Sequence, residues 1–480
     1  MKKFISIYIV FLFSILLIHP TYSQQVINGS WSGAIQIMGA ELGIDVKFKT
    51  ETDSIRGTID IPPQNAKDLK LIHIAFASPK VYFELPAGTI AVFDGELQGD
   101  SITGKFLQSG MEGKFYLKKT SDDATLKKDT LPEKTVIEEL PYNSEEVTFT
   151  NGDITFAGTI TTPKTEGKHP AVVMITGSGP QNRDEELVGF KPFKIIADYL
   201  TRNGIAVLRY DDRGVGGSTG KNVSEYTSED FAGDVLEAVK FLKTRPDINP
   251  EQIGLIGHSE GGIVAPISAS KSKDVAFIIL IAGTGVKGID ILKEQTSLIM
   301  KANDAKEEEI KETTEMFEKV YKVIESNGDW SELHKEFEKS ILESYDEMTE
   351  EQKKTITDKN EYAKSMADLQ IKQMQSIWMK YFIVYNPAPT LEKVTCPVLM
   401  LFGELDLQVP PSQNREPMEK ALEKGGNKDF KTMIFPKANH LFQSATTGSP
   451  NEYAKLPKEF VPGFLDAMKD WIGERVTVVK

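Results

Sequence analysis

Cysteine is all but absent from this chain of 480 residues: Cys396 stands alone, so no internal disulfide can staple the fold. It precedes Pro397 at the start of an apolar run and reads as a small buried hydrophobe rather than a reactive thiol. Basic residues are in deficit, 56 Lys and Arg against 70 Asp and Glu, and the net charge of −14 has no basic cluster to offset it. A surface of that sign repels nucleic acid and anionic membranes, which removes both from the expected partners. Histidine is scarce as well, with six in the chain, so chemistry that needs an imidazole has few places to find one. A run long enough to span a membrane is missing at the front, where the apolar stretch Phe4–Ile18 is too short for a comfortable crossing. Lys2 and Lys3 precede that stretch, and Thr21 and Ser23 supply small residues of the kind a signal peptidase prefers. Residues 1–23 are therefore expected to be a signal peptide cut before Gln24, giving an exported, periplasmic or extracellular protein. No cysteine follows the stretch, so neither a lipid-modified N-terminus nor a stable membrane anchor is expected.

What the chain does contain is Gly257-His258-Ser259-Glu260-Gly261, after the apolar run Ile253–Ile256 and before a helical pattern that begins near Gly262. Strand, tight turn and helix in that order put Ser259 at the apex of a crowded turn, whose flanking positions tolerate no side chain larger than hydrogen. An exposed hydroxyl on such an elbow is the nucleophile of a serine hydrolase, and an accidental glycine turn is the weaker reading of the same residues.

A serine hydroxyl is a poor nucleophile at neutral pH, so this reading needs a histidine base and an acid to orient it. His19 falls in the leader. His258 lies inside the turn itself, where the backbone directs it away from Ser259. His73 sits in a strand pattern, His334 in a charged helix and His169 just before a buried strand, and each reads as structural or solvated. His440, on a loop beyond the late strand Met433–Phe435, remains. The apolar strand Pro397–Phe402 ends in Gly403-Glu404-Leu405-Asp406, which places Asp406 on the following loop and makes it the preferred acid over Glu404. A solvated acidic turn is the plain alternative, weakened by the order Ser259, Asp406, His440. The oxyanion donors are expected to be the main-chain amides of Glu260, next to the nucleophile, and of Ser178, after the strand Pro170–Ile175. Neither Gly177-Ser178-Gly179 nor Gly214-Val215-Gly216-Gly217 completes a dinucleotide fingerprint, so both read as turns bringing backbone close to a pocket.

Together with the elbow, the stretches Gly177-Ser178-Gly179-Pro180-Gln181, Arg209-Tyr210-Asp211-Asp212-Arg213-Gly214, Tyr385-Asn386-Pro387-Ala388-Pro389 and Asp406-Leu407-Gln408-Val409-Pro410-Pro411 resemble a known group. It is the α/β-hydrolase serine esterases of the bacterial type, close to the serine aminopeptidase and EstD-like group. The resemblance runs from about residue 145 to the C-terminus. It implies Ser259, Asp406 and His440 as the triad and Ser178 and Glu260 as oxyanion donors; Asn182 departs from the acidic residue the group would carry after Gly-Pro-Gln. A shared fold and acyl chemistry do not carry over the acyl or leaving group.

The pattern changes along the chain. Short alternating runs between residues 24 and 118, such as Ile55–Ile61 and Ile102–Phe106, predict an antiparallel β-domain, a small barrel or sandwich. Its Gly29-Ser30-Trp31 entry is faintly lipocalin-like, though a tryptophan at a strand start is more often a core plug than a ligand gate. Residues 119–144 read as a linker. From residue 145 to 480, apolar strands alternate with amphipathic helices, predicting an α/β fold: an α/β-hydrolase core with a mostly parallel sheet. A charged helical insert at 287–385 stands where α/β-hydrolases commonly carry a cap. Met316, Phe317, Val320, Tyr321 and Ile324 recur on one face of it, and its charge runs read as solvated surface. Its later part, with Met366, Leu369, Met374, Ile377, Trp378, Met379, Tyr381 and Phe382, is more apolar and could supply core or roof an acyl pocket.

The expectation is a three-part exported enzyme that hydrolyses small-molecule carboxylic esters through an acyl-enzyme, with no cofactor or metal required. An exopeptidase of the same fold is the closest rival, with Glu260, Asp184 or Glu185 available to hold an amino terminus. A non-catalytic binding module built on a dead hydrolase fold is the rival from another class.

Overall fold

A computed structural model of the chain describes residues 27–120 and 140–478, apart from 38–39, 52–53, 63–65, 88, 109–110 and most of 348–357. The expected signal peptide, and residues 121–139 of the expected linker, lie outside the described residues. The contacts divide the chain into two compact units, Met1–Ile137 with Asp329–Gln373, and Glu138–Gly328 with Met374–Lys480.

The first unit is built on Gly29–Ile37 (β1), Ala40–Glu51 (β2), Ser54–Ile61 (β3), Ala66–Lys70 (β4), Ile72–Ala77 (β5), Lys80–Ala87 (β6), Thr89–Gln98 (β7), Ser101–Gln108 (β8) and Met111–Thr120 (β9). They pair antiparallel in the order β4-β3-β2-β1-β9-β8-β7-β6-β5. Leu71 extends the β3–β4 ladder by donating its N–H to Gly57 O at 3.0 Å, and the chain runs straight from it into β5 at the other end of the strand order, so the two ends of the sheet meet and it closes as a barrel. Alternation sends Trp31, Phe48, Phe83, Phe93 and Phe115 inward, where they are buried, and the paired Phe83 and Phe93 stack at 4.5 Å. Trp31 donates its Nε1–H to Ile27 O at 2.8 Å and fills the core, the plug rather than the gate. Residues one step out of phase face outward, yet Tyr82 and Val92 are among those that are buried. Their cover is a helical pair, Ser331–Glu347 (α6) and Lys359–Met374 (α7), contributing Ile341, Tyr362, Ala363, Met366 and Ala367 to one apolar cluster.

The second unit holds Tyr142–Asn151 (β10), Ile154–Pro163 (β11), His169–Ile175 (β12), Ala206–Tyr210 (β13), Ile248–His258 (β14), Phe277–Ile281 (β15), Val398–Gly403 (β16) and Phe430–Phe435 (β17). The strand order is β10-β11-β13-β12-β14-β15-β16-β17. The sheet is mixed: β10 and β11 pair antiparallel with each other, β11 pairs antiparallel with β13, and the pairings from β13 through β17 are parallel. The parallel part accords with the expected core, and β10 and β11 form an antiparallel edge to it. Strands β12 through β16 are buried almost throughout, as strands covered on both faces must be. Around the sheet lie Pro192–Arg202 (α1), Ser228–Thr244 (α2), Gly261–Lys271 (α3), Gly288–Ala302 (α4), Glu307–Glu325 (α5), Ile377–Val384 (α8), Ala388–Leu391 (α9), Pro411–Lys424 (α10) and Phe464–Gly473 (α11).

The insert expected as a single cap at 287–385 is divided between the units. Helices α4, α5 and α8 belong with the mixed sheet, whereas residues 329–373 belong with the barrel. The apolar stripe of α7, Tyr362, Ala363, Met366 and Ala367, follows helical spacing and finds its partners on the outer face of β6 and β7.

Candidate active site

The turn after β14 has the crowding that its glycines imply. Ser259 holds φ at 52°, in the left-handed region, and its N–H donates to Ile281 O at the end of β15 at 2.9 Å. A Cβ on Gly257 would sit 2.0 Å from Gly261 O, and one on Gly261 would sit 2.3 Å from Ile175 O. Strands β12 and β14 and helix α3 therefore converge on Ser259 only because those two positions lack side chains.

The loops after β16 and β17 bring Asp406 and His440 together. His440 Nδ1 donates to Asp406 Oδ2 at 2.8 Å, and both side chains are buried. Asp406 Oδ1 accepts main-chain N–H bonds from Gln408 at 2.8 Å and Val409 at 2.9 Å. Burial alone would raise the Asp406 pKa, but the His440 charge and hydrogen bond, with these two amides, outweigh it and hold the carboxyl below its usual value. Glu404 is exposed and accepts from Lys437 N instead, so the preferred carboxylate is the one that meets the imidazole.

Ser259, His440, Ser178 and Glu260 all line one cavity of about 220 Å³. Among the described residues the Ser259 hydroxyl and the His440 ring share it without a hydrogen bond between them; contacts of this kind often close only around substrate. The main-chain N–H groups of Ser178 and Glu260 likewise have no acceptor among the described residues, whereas that of the neighbouring Gly177 donates to Glu185 Oε1 at 2.7 Å. Leu187, Ile291, Leu292, Trp378, Phe382 and Leu441 give the cavity its apolar wall, so α4 and α8 of the insert do roof it. Met366 and Leu369, from the same apolar stretch of sequence, pack with the barrel instead.

The Glu260 side chain is buried and accepts from Ser228 Oγ at 2.6 Å and from Trp378 Nε1 at 2.9 Å, with Ser178 as a further donor. Burial raises its pKa against the opposing pull of these hydrogen bonds. Asp212 accepts from Thr176 Oγ1 at 2.7 Å and Gln181 N at 2.9 Å; its burial, only partly opposed by those bonds, pushes its carboxyl well above the usual range. It thereby fastens the loop that carries Ser178. Asp211 takes a two-point bond from Arg183, and Asp234 one from Arg213. The turn Gly214–Gly217 closes on Asp211, with Gly217 N donating at 2.9 Å; it does not line the cavity as the sequence led us to expect. Asn182 caps its own turn, accepting from Asp184 N at 3.0 Å and Glu186 N at 3.3 Å.

The other histidines are occupied elsewhere: His73 with Glu84 at 2.8 Å, His169 with Thr165 O at 2.9 Å and His334 with Asp368 at 2.7 Å. His258 lines the cavity and makes a buried contact to Glu185 that the sequence, with the two 73 positions apart, does not announce. Burial pushes the Cys396 thiol up to about 12, consistent with an inert side chain. Among the described residues no group of His, Cys, Asp and Glu is disposed to hold a metal ion, and no helix is long and apolar enough to cross a membrane.

Comparison with known proteins gives a match to the family described as serine aminopeptidase, S33, over residues 191–444. Esterase EstD of Thermotoga maritima is 31% identical over 324 residues, 66% of this chain and 66% of that protein. Thiohydrolase aneE of Aspergillus aculeatus is 38% identical over 114 residues, 24% of this chain and 34% of that protein. The chain thus spans just under two thirds of the first relative and about a third of the second. Among solved structures, the α/β hydrolase GrgF from Penicillium is 18% identical, with a TM-score of 0.43 over 69% of this chain and 99% of that one.

Proposed function

This chain belongs to the serine aminopeptidase S33 family, and from that premise we propose that it is an exported serine hydrolase that cleaves carboxylic esters through an acyl-enzyme. The observation that carries the reading is the buried Asp406–His440 hydrogen bond beside a cavity that Ser259 shares. In this reading His440 Nε2 takes the Ser259 proton as the hydroxyl attacks the ester carbonyl, and Asp406 keeps the ring in the tautomer that allows it. The amides of Ser178 and Glu260 receive the oxyanion of the tetrahedral intermediate, His440 returns the proton to the leaving alcohol, and water repeats the sequence to free the acid. No cofactor takes part.

The cavity suits a compact acyl group. An apolar cavity of about 150 Å³ accommodates a benzene ring, so one of about 220 Å³ with an apolar wall fits a short aliphatic chain or a single aryl ring. An exopeptidase is the second reading, favoured by the family description. Against it, the acids that could hold an amino terminus are engaged: Asp184 pairs with Arg209, Glu185 with His258 and Gly177 N, and Glu260 with Ser228 and Trp378. An ammonium group would have to displace one of these contacts.

Ser259→Ala is expected to lower kcat for ester hydrolysis by about 10⁴ to 10⁶ with unchanged thermal unfolding, and to abolish covalent labelling by a fluorophosphonate. A mutant as active as the parent would remove Ser259 from the mechanism. A panel of short-chain, long-chain and aryl esters beside aminoacyl amides separates the two readings, and secretion of the full-length chain tests export.

A further inference from the structure

Glu185 and His258 take no step in the acyl transfer, yet they are buried at the centre of the site, between the loop that carries Ser178 and the loop that carries His440. Glu185 Oε1 accepts the Gly177 N–H at 2.7 Å and faces His258 Nδ1 at 2.9 Å. The other ring nitrogen, Nε2, faces the main-chain oxygen of His440 at 3.0 Å. A carbonyl oxygen has no proton to give, so Nε2 must carry one for that contact to attract. On the opposite side Nδ1 meets an oxygen that already accepts from an amide. Beside an ionised Glu185, a neutral imidazole, with one N–H and one lone pair, would set the lone pair against oxygen on one side or the other, whereas the imidazolium donates on both.

The charged surroundings agree. Glu185 is the nearest, Asp406 stands behind the His440 ring, whose centroid is 4.7 Å from that of His258, and the carboxyls of Asp212 and Glu260 lie near Glu185 and Asp212 respectively. No lysine or arginine is among the residues lining the cavity. Burial pulls the His258 pKa down, but the Glu185 charge and hydrogen bond, the His440 carbonyl and the Asp406 charge together leave it above the ordinary value.

We propose that His258 is a standing imidazolium and a positioning residue, tying the Gly177–Ser178 backbone through Glu185 to the His440 backbone, so that oxyanion donor and general base are held to one another. Its catalytic consequence rests on the function proposed above; its protonation does not.

The test is nitrogen-resolved NMR of the ¹⁵N-histidine-labelled Ser259→Ala protein, with the His258 signals assigned by their loss in His258→Gln. We expect two N–H groups and imidazolium nitrogen shifts for His258 at neutral pH, where a free histidine has largely lost its proton. In Glu185→Gln, which keeps the shape and removes the charge, the ring should become neutral. With Ser259 in place, Glu185→Gln should lower kcat for a short ester by about tenfold with KM and the unfolding temperature unchanged. A merely structural loss would lower the unfolding temperature as well. A bare ring nitrogen on His258 at neutral pH, or Glu185→Gln with unchanged shifts and an unchanged kcat, overturns the proposal. If Ser259→Ala kept full esterase activity, the proposed mechanism would fall while the nitrogen spectrum still decided the charge on His258.

Discussion

Ser259 holds a backbone conformation that costs an L-residue about 1 to 2 kcal/mol, and the cost is the same for serine and alanine because it comes from Cβ. Ser259→Gly should therefore be inactive yet more stable than the parent by about 1 kcal/mol in chemical denaturation; a destabilised glycine variant would show that the turn stores no strain. In the proposed mechanism Asp406 acts through His440. Asp406→Asn should cost far more activity than Glu404→Gln, since only the former lets the imidazole adopt the wrong tautomer, and the reverse ranking would reassign the acid. Asp406 also leaves a signature in stability. Its folded pKa is depressed, so its contribution is present above the unfolded pKa of about 4 and is lost as pH falls through the lower folded value. The unfolding free-energy difference between the parent and Asp406→Asn should hence be largest near neutrality and shrink in acid. A difference independent of pH would contradict the assignment of charge to this carboxylate.

At the scale of elements, the meeting of β14 and α3 depends on two missing side chains. Gly261→Ala places a methyl group 2.3 Å from a main-chain oxygen of β12, which cannot swing away as a side chain can. We expect loss of the folded protein or of activity, whereas alanine at Gly473, where an added Cβ meets nothing, should be silent. In the same mechanism helix α8 walls the side of the cavity that takes the acyl group. Trp378 lines it, stacks on Phe382 with ring centroids 5.0 Å apart and donates to Glu260. Trp378→Ala should shift the preference between a short and a long acyl ester by about 1 to 3 kcal/mol in kcat/KM, and Trp378→Phe, which keeps the wall, by less. Uniform loss across all esters with a large drop in unfolding temperature would make Trp378 core rather than wall.

For the whole molecule, the consequential feature is that residues 329–373 leave the hydrolase unit in sequence and join the barrel in space. Their apolar stripe is covered by Tyr82 and Val92, so the barrel and this arm form one core although more than 200 residues of sequence separate them. Deleting residues 24–118 should bare Ile341, Ala363, Met366 and Ala367 together and produce an aggregating protein, recognisable by binding of a hydrophobic dye. Removing 329–373 in the same deletion should relieve that aggregation. A soluble single deletion would mean that the arm needs no partner.

The elements of the parallel sheet were legible because each is a short apolar run closed by a turn residue, and the placement of Ser259, Asp406 and His440 on loops beyond strands was legible because each follows such a run. The rival acid could also be ranked from the sequence, since one more turn of loop separates Asp406 from its strand. The pairing of Glu185 with His258 was not legible: a hydrogen bond between residues 73 apart obeys no period, and neither residue type announces a partner. Nor was the division of the insert, because Met366 and Trp378 look alike as apolar residues on helices, and only the surface each helix meets decides whether it packs on the barrel or lines the cavity. Local spacing by itself determined which strands, turns and helices form and where a serine is forced into the open. Which side chains meet across the molecule, and which imidazole is held between two acceptors, was decided by tertiary packing, because burial and hydrogen bonding depend on distances in space that the chain order does not encode.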